Sequence, residues 1–126
     1  MPGPARAGLL IYAMEINRLV QFYESVLGAT LKHRTEEIAV LQSPDIQLVI
    51  HQAPPAYNAN LEVTSPPVRR ASALKFFFTV PSIAEASVIA RKYGGGIDHE
   101  QWQGPGFVVR NGYDPEGNIF HLREAV

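Results

Sequence analysis

The sequence contains no cysteine, which excludes disulfide bonds, cysteine-ligated zinc sites and cysteine nucleophiles. It also contains no apolar run of roughly 18 residues, the length that a membrane-spanning helix needs. The first residues, MPGPARAG, include no apolar stretch of the kind that a signal peptide carries. We therefore expect a cytoplasmic protein with no membrane partner.

Net charge is nearly absent as well, since 11 basic and 12 acidic residues leave a formal net charge of −1. A dedicated nucleic-acid-binding protein usually carries a basic surplus, so we expect no nucleic-acid partner. Apolar residues, in contrast, are plentiful: 46% of the 126 residues are hydrophobic, which is enough for the core of one compact domain.

The first half of the chain has the pattern of a strand, a helix and three further strands. LLIYAM is strand-like, and NRLVQFYESVLG carries apolar residues at the spacing of an amphipathic helix. Asn17 is the expected N-cap of this helix, and Gly28 stands where a left-handed C-terminal residue belongs. The strand candidates that follow are ATLKHR, EIAVLQ and IQLVIHQ.

The second half repeats this order of elements. LKFFFTV is strand-like, Ser82 and Glu85 have the spacing of a capping box, and Gly94 ends the second helical pattern. The strand candidates after this helix lie around residues 97–101, at GFVVRN and at NIFHLRE.

The repeat predicts a single α+β domain that spans the chain and consists of two βαβββ modules. The modules cover about residues 7–53 and 73–126, and residues 54–72 form a linker with four prolines. Arg69 and Arg70 in this linker are expected to be solvated charges rather than an anion site.

Two short motifs connect this pattern to a known family. FYESVLG on the first helix and DPEGN before the last strand, with the repeated order of elements, resemble the vicinal oxygen chelate superfamily. That superfamily includes glyoxalase I, bleomycin-resistance proteins and type I extradiol dioxygenases, and the resemblance extends from Leu9 to Glu124. It implies two βαβββ modules that form a curled mixed sheet around an open cavity, with the helices on the outer face, in a homodimer.

Strand alternation indicates which side chains line that cavity. On the last strand, His121 and Arg123 share one face, opposite Phe120 and Leu122. We expect the wholly apolar faces to pack on the helices and the mixed faces to be concave. The stretch WQGPGF is expected to be a mobile loop that carries an aromatic lid. The predicted ligand-binding residues are Tyr12, Gln47, His51, Lys75, Phe77, Trp102, His121 and Arg123.

The resemblance also implies where a metal would bind. Metal-dependent members place His, Gln or Glu at four strand positions, which in this sequence fall at Gly8, Gln47, Lys75 and His121. Glycine brings no side-chain donor, and a lysine ammonium has no lone pair, so the family metal site is predicted to be largely lost. If a divalent metal binds through substitute ligands, the best candidates are His121, Gln47 and His51, because the odd offset turns Glu124 away from His121.

These residues are consistent with two classes of function. The main prediction is a protein without a cofactor that holds a small aromatic or anionic molecule, as bleomycin-resistance proteins sequester a drug. The alternative is an enzyme of lyase, isomerase or dioxygenase type, which uses a metal through substitute ligands or relies on Lys75 and His121. A lysine on the concave face can pair with a carboxylate or phosphate, and a histidine can act as donor or general base near neutral pH. A dimeric interaction module with a vestigial cavity is a third alternative.

Overall fold

The computed structural model describes residues 5–58, 63–70 and 72–126. Its elements, in chain order, are β1 (Gly8–Ala13), α1 (Ile16–Leu27), β2 (Thr30–Arg34), β3 (Ile38–Gln42), β4 (Gln47–Gln52), α2 (Pro55–Asn58), β5 (Phe76–Thr79), α3 (Ile83–Lys92), β6 (Gly96–Gly104), β7 (Phe107–Tyr113) and β8 (Ile119–Ala125). Among these described residues, no helix is both long enough and apolar enough to cross a membrane.

Each half of the chain forms a four-stranded mixed sheet with the same strand order. In the first sheet β1 lies parallel to β4, and β4 continues antiparallel to β3 and then β2. In the second sheet β5 lies parallel to β8, and β8 continues antiparallel to β7 and then β6. The two halves therefore match strand for strand, and the predicted α+β fold of two βαβββ modules is confirmed.

Helix α1 forms where the sequence predicts it but is capped differently. Its C-terminal end is as expected, because Gly28 adopts a left-handed conformation with φ of 66°. Asn17, the expected N-cap, lies inside the helix, and the side chain of Glu15 at the N-cap makes no capping hydrogen bond. Instead the buried carboxylate of Glu116 accepts hydrogen bonds from the backbone amides of Met14 at 2.8 Å and Glu15 at 2.7 Å. An acid from the second module therefore fixes the start of the first helix.

The DPEGN turn before β8 is held by a fully buried aspartate. One carboxylate oxygen of Asp114 accepts from the backbone amides of Glu116 at 2.9 Å and Asn118 at 3.0 Å. The other accepts from the Asn118 side-chain amide at 2.9 Å and from the Tyr23 hydroxyl at 2.7 Å. Because Tyr23 belongs to FYESVLG, the two motifs that indicate the family are joined by a hydrogen bond in the core.

Replacing Tyr23 with phenylalanine should destabilise the protein by about 1–3 kcal/mol at neutral pH, because buried Asp114 loses a donor. Burial, and next the charge of Asp114, raises the pKa of Tyr23 well above its ordinary value of 10.0. The stability that follows from this raised pKa is fully present below the unfolded-state pKa of about 10 and is lost as pH rises through the folded-state pKa. The difference in unfolding free energy between wild type and Tyr23→Phe should therefore shrink above about pH 10.

Urea denaturation between about pH 7 and pH 11 measures this difference. Tyr12→Phe is the matched control, because it removes a phenol that is 40% exposed. A gap for Tyr23→Phe that stays constant over this range would contradict the expected ionisation behaviour of the buried phenol.

Helix α3 begins with the predicted cap and a second acid. The Ser82 hydroxyl accepts from the backbone amide of Glu85 at 3.1 Å, as the capping-box spacing predicts. Glu124 on β8 points to this side of the sheet, where its carboxylate accepts from the backbone amide of Ile83 at 2.6 Å. This position agrees with the expectation that Glu124 faces away from His121.

Aromatic side chains connect α1 to the second sheet. Phe120 of β8 is fully buried, and its ring stacks on Phe76 at a centroid distance of 5.9 Å. It also meets Phe22 edge-on at 6.0 Å and Tyr23 at 6.1 Å. Residues of both modules therefore share one hydrophobic cluster between the helices and the sheets.

The linker contacts the second module through its two arginines. Arg69 forms a two-pronged ion pair with Asp98, with one N–O distance of 2.7 Å, and lies 4.5 Å above the ring of Tyr113. Arg70 donates from Nε to the Glu116 carbonyl oxygen at 3.0 Å. Both arginines have a partner on the second module, and the Arg69 side chain, 45% exposed, is still solvated as the sequence predicts.

Candidate functional site

The second sheet has one face beneath the helices and one face open to solvent. Phe120 and Leu122 on β8 are completely buried, as is most of Phe78 on β5. His121 and Arg123 are only half-buried, and Phe77 is 52% exposed. The predicted alternation is therefore confirmed, and the open face is the one that carries the polar candidates.

The candidates from the first module lie on the open face of the first sheet. Tyr12 and His51 face each other across β1 and β4, and their rings meet edge to face at 5.9 Å. Gln47 lies at the other end of β4, and its amide donates to the Gln42 side-chain oxygen at 3.4 Å. Tyr12 and His51 therefore contact each other, whereas Gln47 contacts Gln42. All three candidates lie on a different sheet from the remaining candidates.

His121 stands at the centre of the second group, on the open face of the second sheet. Phe77 on β5 and Asn111 on β7 are its direct cross-strand neighbours. Lys75, just before β5, donates from Nζ to the Asn111 side-chain oxygen at 3.1 Å. Partial burial, followed by the positive charges of Lys75 and Arg123, lowers the pKa of His121 below 6.5. Its imidazole is therefore neutral at neutral pH and offers one donor and one acceptor nitrogen.

A cavity of about 360 Å³ adjoins this group. Its volume lies within the range of about 300–1,000 Å³ that is typical of small-molecule pockets. The lining residues come from the linker and the open face of the second sheet: Arg69, Arg70, Lys75, Asn111 and Ile119.

Arg123 lies between two aromatic rings on the same face. The centre of its guanidinium is 3.7 Å from the ring centroid of Phe77, on the β5 side, and 4.5 Å from that of Phe107, on the β7 side. Its Nε is buried and has no hydrogen-bond partner among the described residues. The two rings thus hold a cation in place by cation–π contact and leave its donor unused.

Trp102 is fixed in a strand and does not belong to a loop. It lies on β6 opposite Val109, which in turn pairs with Arg123, so the three residues form one row across the sheet. The expectation of a mobile loop at WQGPGF is wrong, because β6 and β7 are joined by a two-residue turn in which Gly106 supplies a φ of 81°. Proline followed by glycine is a typical pair for such a tight turn. Trp102, 42% exposed, is therefore a wall of the open face.

The sequence-based prediction missed two members of this site. Asn111, which holds the Lys75 ammonium, and Phe107, which flanks Arg123, are both on β7. The alternation in GFVVRN places Phe107, Val109 and Asn111 on one face, which was a usable signal. Their partners on β8 depend on the register between the two strands, which the local pattern does not determine.

The residues at the four positions where the resemblance implies a metal site do not fit a divalent cation. Gly8 and Gln47 pair across β1 and β4 and offer one amide side chain between them. On the second sheet, the Lys75 ammonium occupies the third position, and His121 at the fourth has two positive groups near it. Within residues 5–58, 63–70 and 72–126, no three His, Asp or Glu side chains are grouped so that they could hold a metal ion. A divalent cation at these positions would be repelled by the positive side chains and would find too few nitrogen or oxygen ligands with a lone pair.

Comparison with known proteins identifies the family of this chain. Residues 7–122 match the model of the Glyoxalase/Bleomycin resistance protein/Dioxygenase superfamily. No curated protein sequence matches the chain.

Several solved structures have the same fold. A glyoxalase/bleomycin resistance protein/dioxygenase family enzyme from Burkholderia phytofirmans PsJN is 16% identical, with a TM-score of 0.73 over 95% of this chain and 98% of that one. A glyoxalase/bleomycin resistance protein from Albidiferax ferrireducens T118 is 14% identical, with a TM-score of 0.69 over 95% of this chain and 98% of that one. The fosfomycin resistance protein FosX from Listeria monocytogenes is 14% identical, with a TM-score of 0.66 over 100% of this chain and 95% of that one. At such low identities the likeness shows a shared fold only. The function of this chain has to be argued from the residues of its open face.

Proposed function

Because this chain belongs to the glyoxalase/bleomycin resistance protein/dioxygenase superfamily, we propose that it binds a small anionic molecule with a flat apolar part on the open face of its second sheet. The observation that supports this proposal is the composition of that face. His121 and Arg123 lie beside the exposed ring of Phe77, Lys75 is close to His121, and Trp102 is exposed two strands away in the Arg123 row. The residues of β5, β7 and β8 that share the face include no acidic side chain, and Asp98 of β6, the acid near Lys75, is paired with Arg69. Such a surface attracts anions and offers apolar contact area.

The polar groups can hold an anion and also exchange a proton with it. The Lys75 ammonium has three donors and gives one to Asn111, which leaves two for a ligand. His121, neutral because of its lowered pKa, can donate to a ligand oxygen or accept a proton from an acidic group. The adjoining cavity of about 360 Å³ is large enough for a molecule of one or two rings.

Binding on this face needs no metal ion, since the charge is supplied by side chains. The alternative of a metal-dependent lyase, isomerase or dioxygenase needs ligands that approach each other, and His51 lies on the other sheet from His121. We propose that anion binding survives treatment with a chelator, and chelator-sensitive binding would instead support the metal-dependent alternative.

Lys75→Met should weaken binding of benzoate, phenylphosphonate and benzenesulfonate roughly tenfold or more, because each anion loses a charge-assisted hydrogen bond. Binding of the neutral analogue benzyl alcohol should change by less than about twofold, since it depends on the rings. Isothermal titration calorimetry measures both. The matched control is Lys32→Met, which removes an exposed lysine from β2 of the first sheet.

The two outcomes that contradict the proposal differ. If none of the three anions binds the wild-type protein, the open face is not an anion site. If the anions bind equally well to Lys75→Met and the wild type, the site exists without Lys75.

A further inference from the structure

Arg123 contacts two aromatic rings on the open face of the second sheet. It extends from β8, and rings from the strands on either side flank it, with Phe77 at 3.7 Å and Phe107 at 4.5 Å. A guanidinium ion attracts aromatic faces because positive charge meets the negative face of the ring. Two such contacts restrain the position of the Arg123 head group.

The head group so restrained lacks an acceptor. Its Nε is buried without a hydrogen-bond partner, and in the described parts of the chain Arg123 forms no ion pair. Buried charged donors are rarely left unpaired, because the lost hydrogen bond to water is not replaced. The acids that this module does contain near β8 are used elsewhere: Glu124 caps α3, and Glu116 caps α1. The positive charge of Arg123 is therefore left without a counter-charge among the described residues, and its terminal nitrogens are the groups that a ligand can reach.

The two rings restrict the shape of that acceptor. Both ring centroids lie within 4.5 Å of the guanidinium carbon, so an acceptor reaches the terminal nitrogens most easily along the edge of the guanidinium plane. A carboxylate is flat and matches this edge with two parallel N–H···O bonds. A phosphonate or sulfonate can make the same two bonds, but its third oxygen projects out of the plane towards Phe77 or Phe107.

We infer that Arg123, whose guanidinium lies between Phe77 and Phe107, docks the carboxylate of an aromatic or similarly flat monocarboxylic acid. This inference rests on the proposed function, since it names the anion that the open face binds. The remainder of the molecule lies along the row that leads from Arg123 through Val109 to Trp102. Lys75 and Arg123 both act on His121 through their charges, so Lys75 is near enough to share the carboxylate with Arg123 and give it a second charge-assisted contact.

The test is a titration of wild type, Arg123→Lys and Arg123→Met with benzoate, followed by Trp102 fluorescence. Trp102 is the only tryptophan of the chain and lies in the same row as Arg123. Lysine keeps the charge but not the planar fork, so both variants should bind benzoate roughly tenfold or more weakly. Arg110→Lys is the matched control: Arg110 is on the same sheet, but it pairs with Leu122 and so belongs to the opposite face. Its benzoate affinity should stay within about twofold of wild type.

Two further measurements need no variant at position 123. Benzoate should shift the ¹⁵Nε–¹Hε resonance of Arg123 in the wild-type protein, because a carboxylate bound to the terminal nitrogens changes the charge distribution of the whole guanidinium. Benzoate should also bind wild type several-fold more tightly than phenylphosphonate or benzenesulfonate do.

The possible results distinguish a failure of the inference from a failure of the proposed function. Unchanged benzoate affinity in both Arg123 variants, with binding that still depends on Lys75, would overturn the Arg123 site and leave anion binding in place. Equal or tighter binding of the tetrahedral anions would overturn the assignment of a carboxylate. The absence of any anion binding would overturn both.

Discussion

Replacing Asp114 with alanine should lower the free energy of unfolding by about 3–5 kcal/mol. The carboxylate is fully buried and accepts four hydrogen bonds from three residues: the Tyr23 hydroxyl, the Glu116 amide, and both the backbone and side-chain amides of Asn118. Alanine leaves these donors without an acceptor where water has little access, and each unsatisfied buried donor costs about 1–3 kcal/mol. Urea denaturation followed by far-UV circular dichroism measures the loss.

Asp45→Ala is the matched control for this prediction. Asp45 lies in the turn between β3 and β4, which corresponds to the DPEGN turn in the repeat, but it is exposed. Its replacement should change stability by about 0.5 kcal/mol or less, as is usual at the surface. Comparable losses for the two variants would show that the effect of Asp114 comes from the turn itself and not from its buried hydrogen bonds.

Replacing Phe120 with alanine should have an effect of similar size, about 3–5 kcal/mol, because it empties a large volume in the core. Phe120 is fully buried and contacts the rings of Phe22, Tyr23 and Phe76. These contacts join α1 to the second sheet, so the cavity would lie between the two modules. Thermal and urea denaturation of the variant measure the loss.

Phe77→Ala tests the same substitution on the opposite face of that sheet. Phe77 pairs with His121, the residue next to Phe120, but is 52% exposed. We expect a loss of less than about 1.5 kcal/mol, mainly from its contact with Arg123. A loss as large as that of Phe120→Ala would contradict the assignment of Phe77 to the open face and Phe120 to the buried face.

Much of the fold can be predicted from the sequence because the deciding signals are local. Alternation along β8 shows which side chains are buried, and Gly28 and Ser82 mark helix ends through their own backbone or side-chain geometry. The repeated order of elements then gives the two modules. None of these signals requires knowledge of which strands are neighbours.

The features that sequence reasoning missed depend on contacts between distant parts of the chain. Asn17 has the right chemistry for an N-cap, yet the amides at the start of α1 are bound by Glu116, about a hundred residues away. The alternation in GFVVRN gives the face of Asn111 but not its position opposite His121. Strand register sets such pairs, and it is fixed by packing across the whole sheet.

Local alternation also predicts the faces of the candidate site residues. It places Lys75, His121 and Arg123 on one face; His121 and Arg123 both lie on β8, and Lys75 directly precedes the neighbouring strand β5. That Arg123 lies between Phe77 and Phe107 could not be predicted, because these rings come from strands on opposite sides of β8. Tyr12, Gln47 and His51 share the alternation but belong to the first sheet.

The hydrogen bond between Tyr23 and Asp114 has a consequence for how this protein can change over evolutionary time. The motifs that mark the family lie on the helix side of the sheet and stabilise the scaffold, whereas Lys75, His121 and Arg123 lie on the other side. Substitutions on the open face can therefore exchange one ligand for another while the scaffold keeps its signature. When the sequence motifs that identify a family are separated in this way from the binding surface, substitutions can change what is bound with little effect on folding.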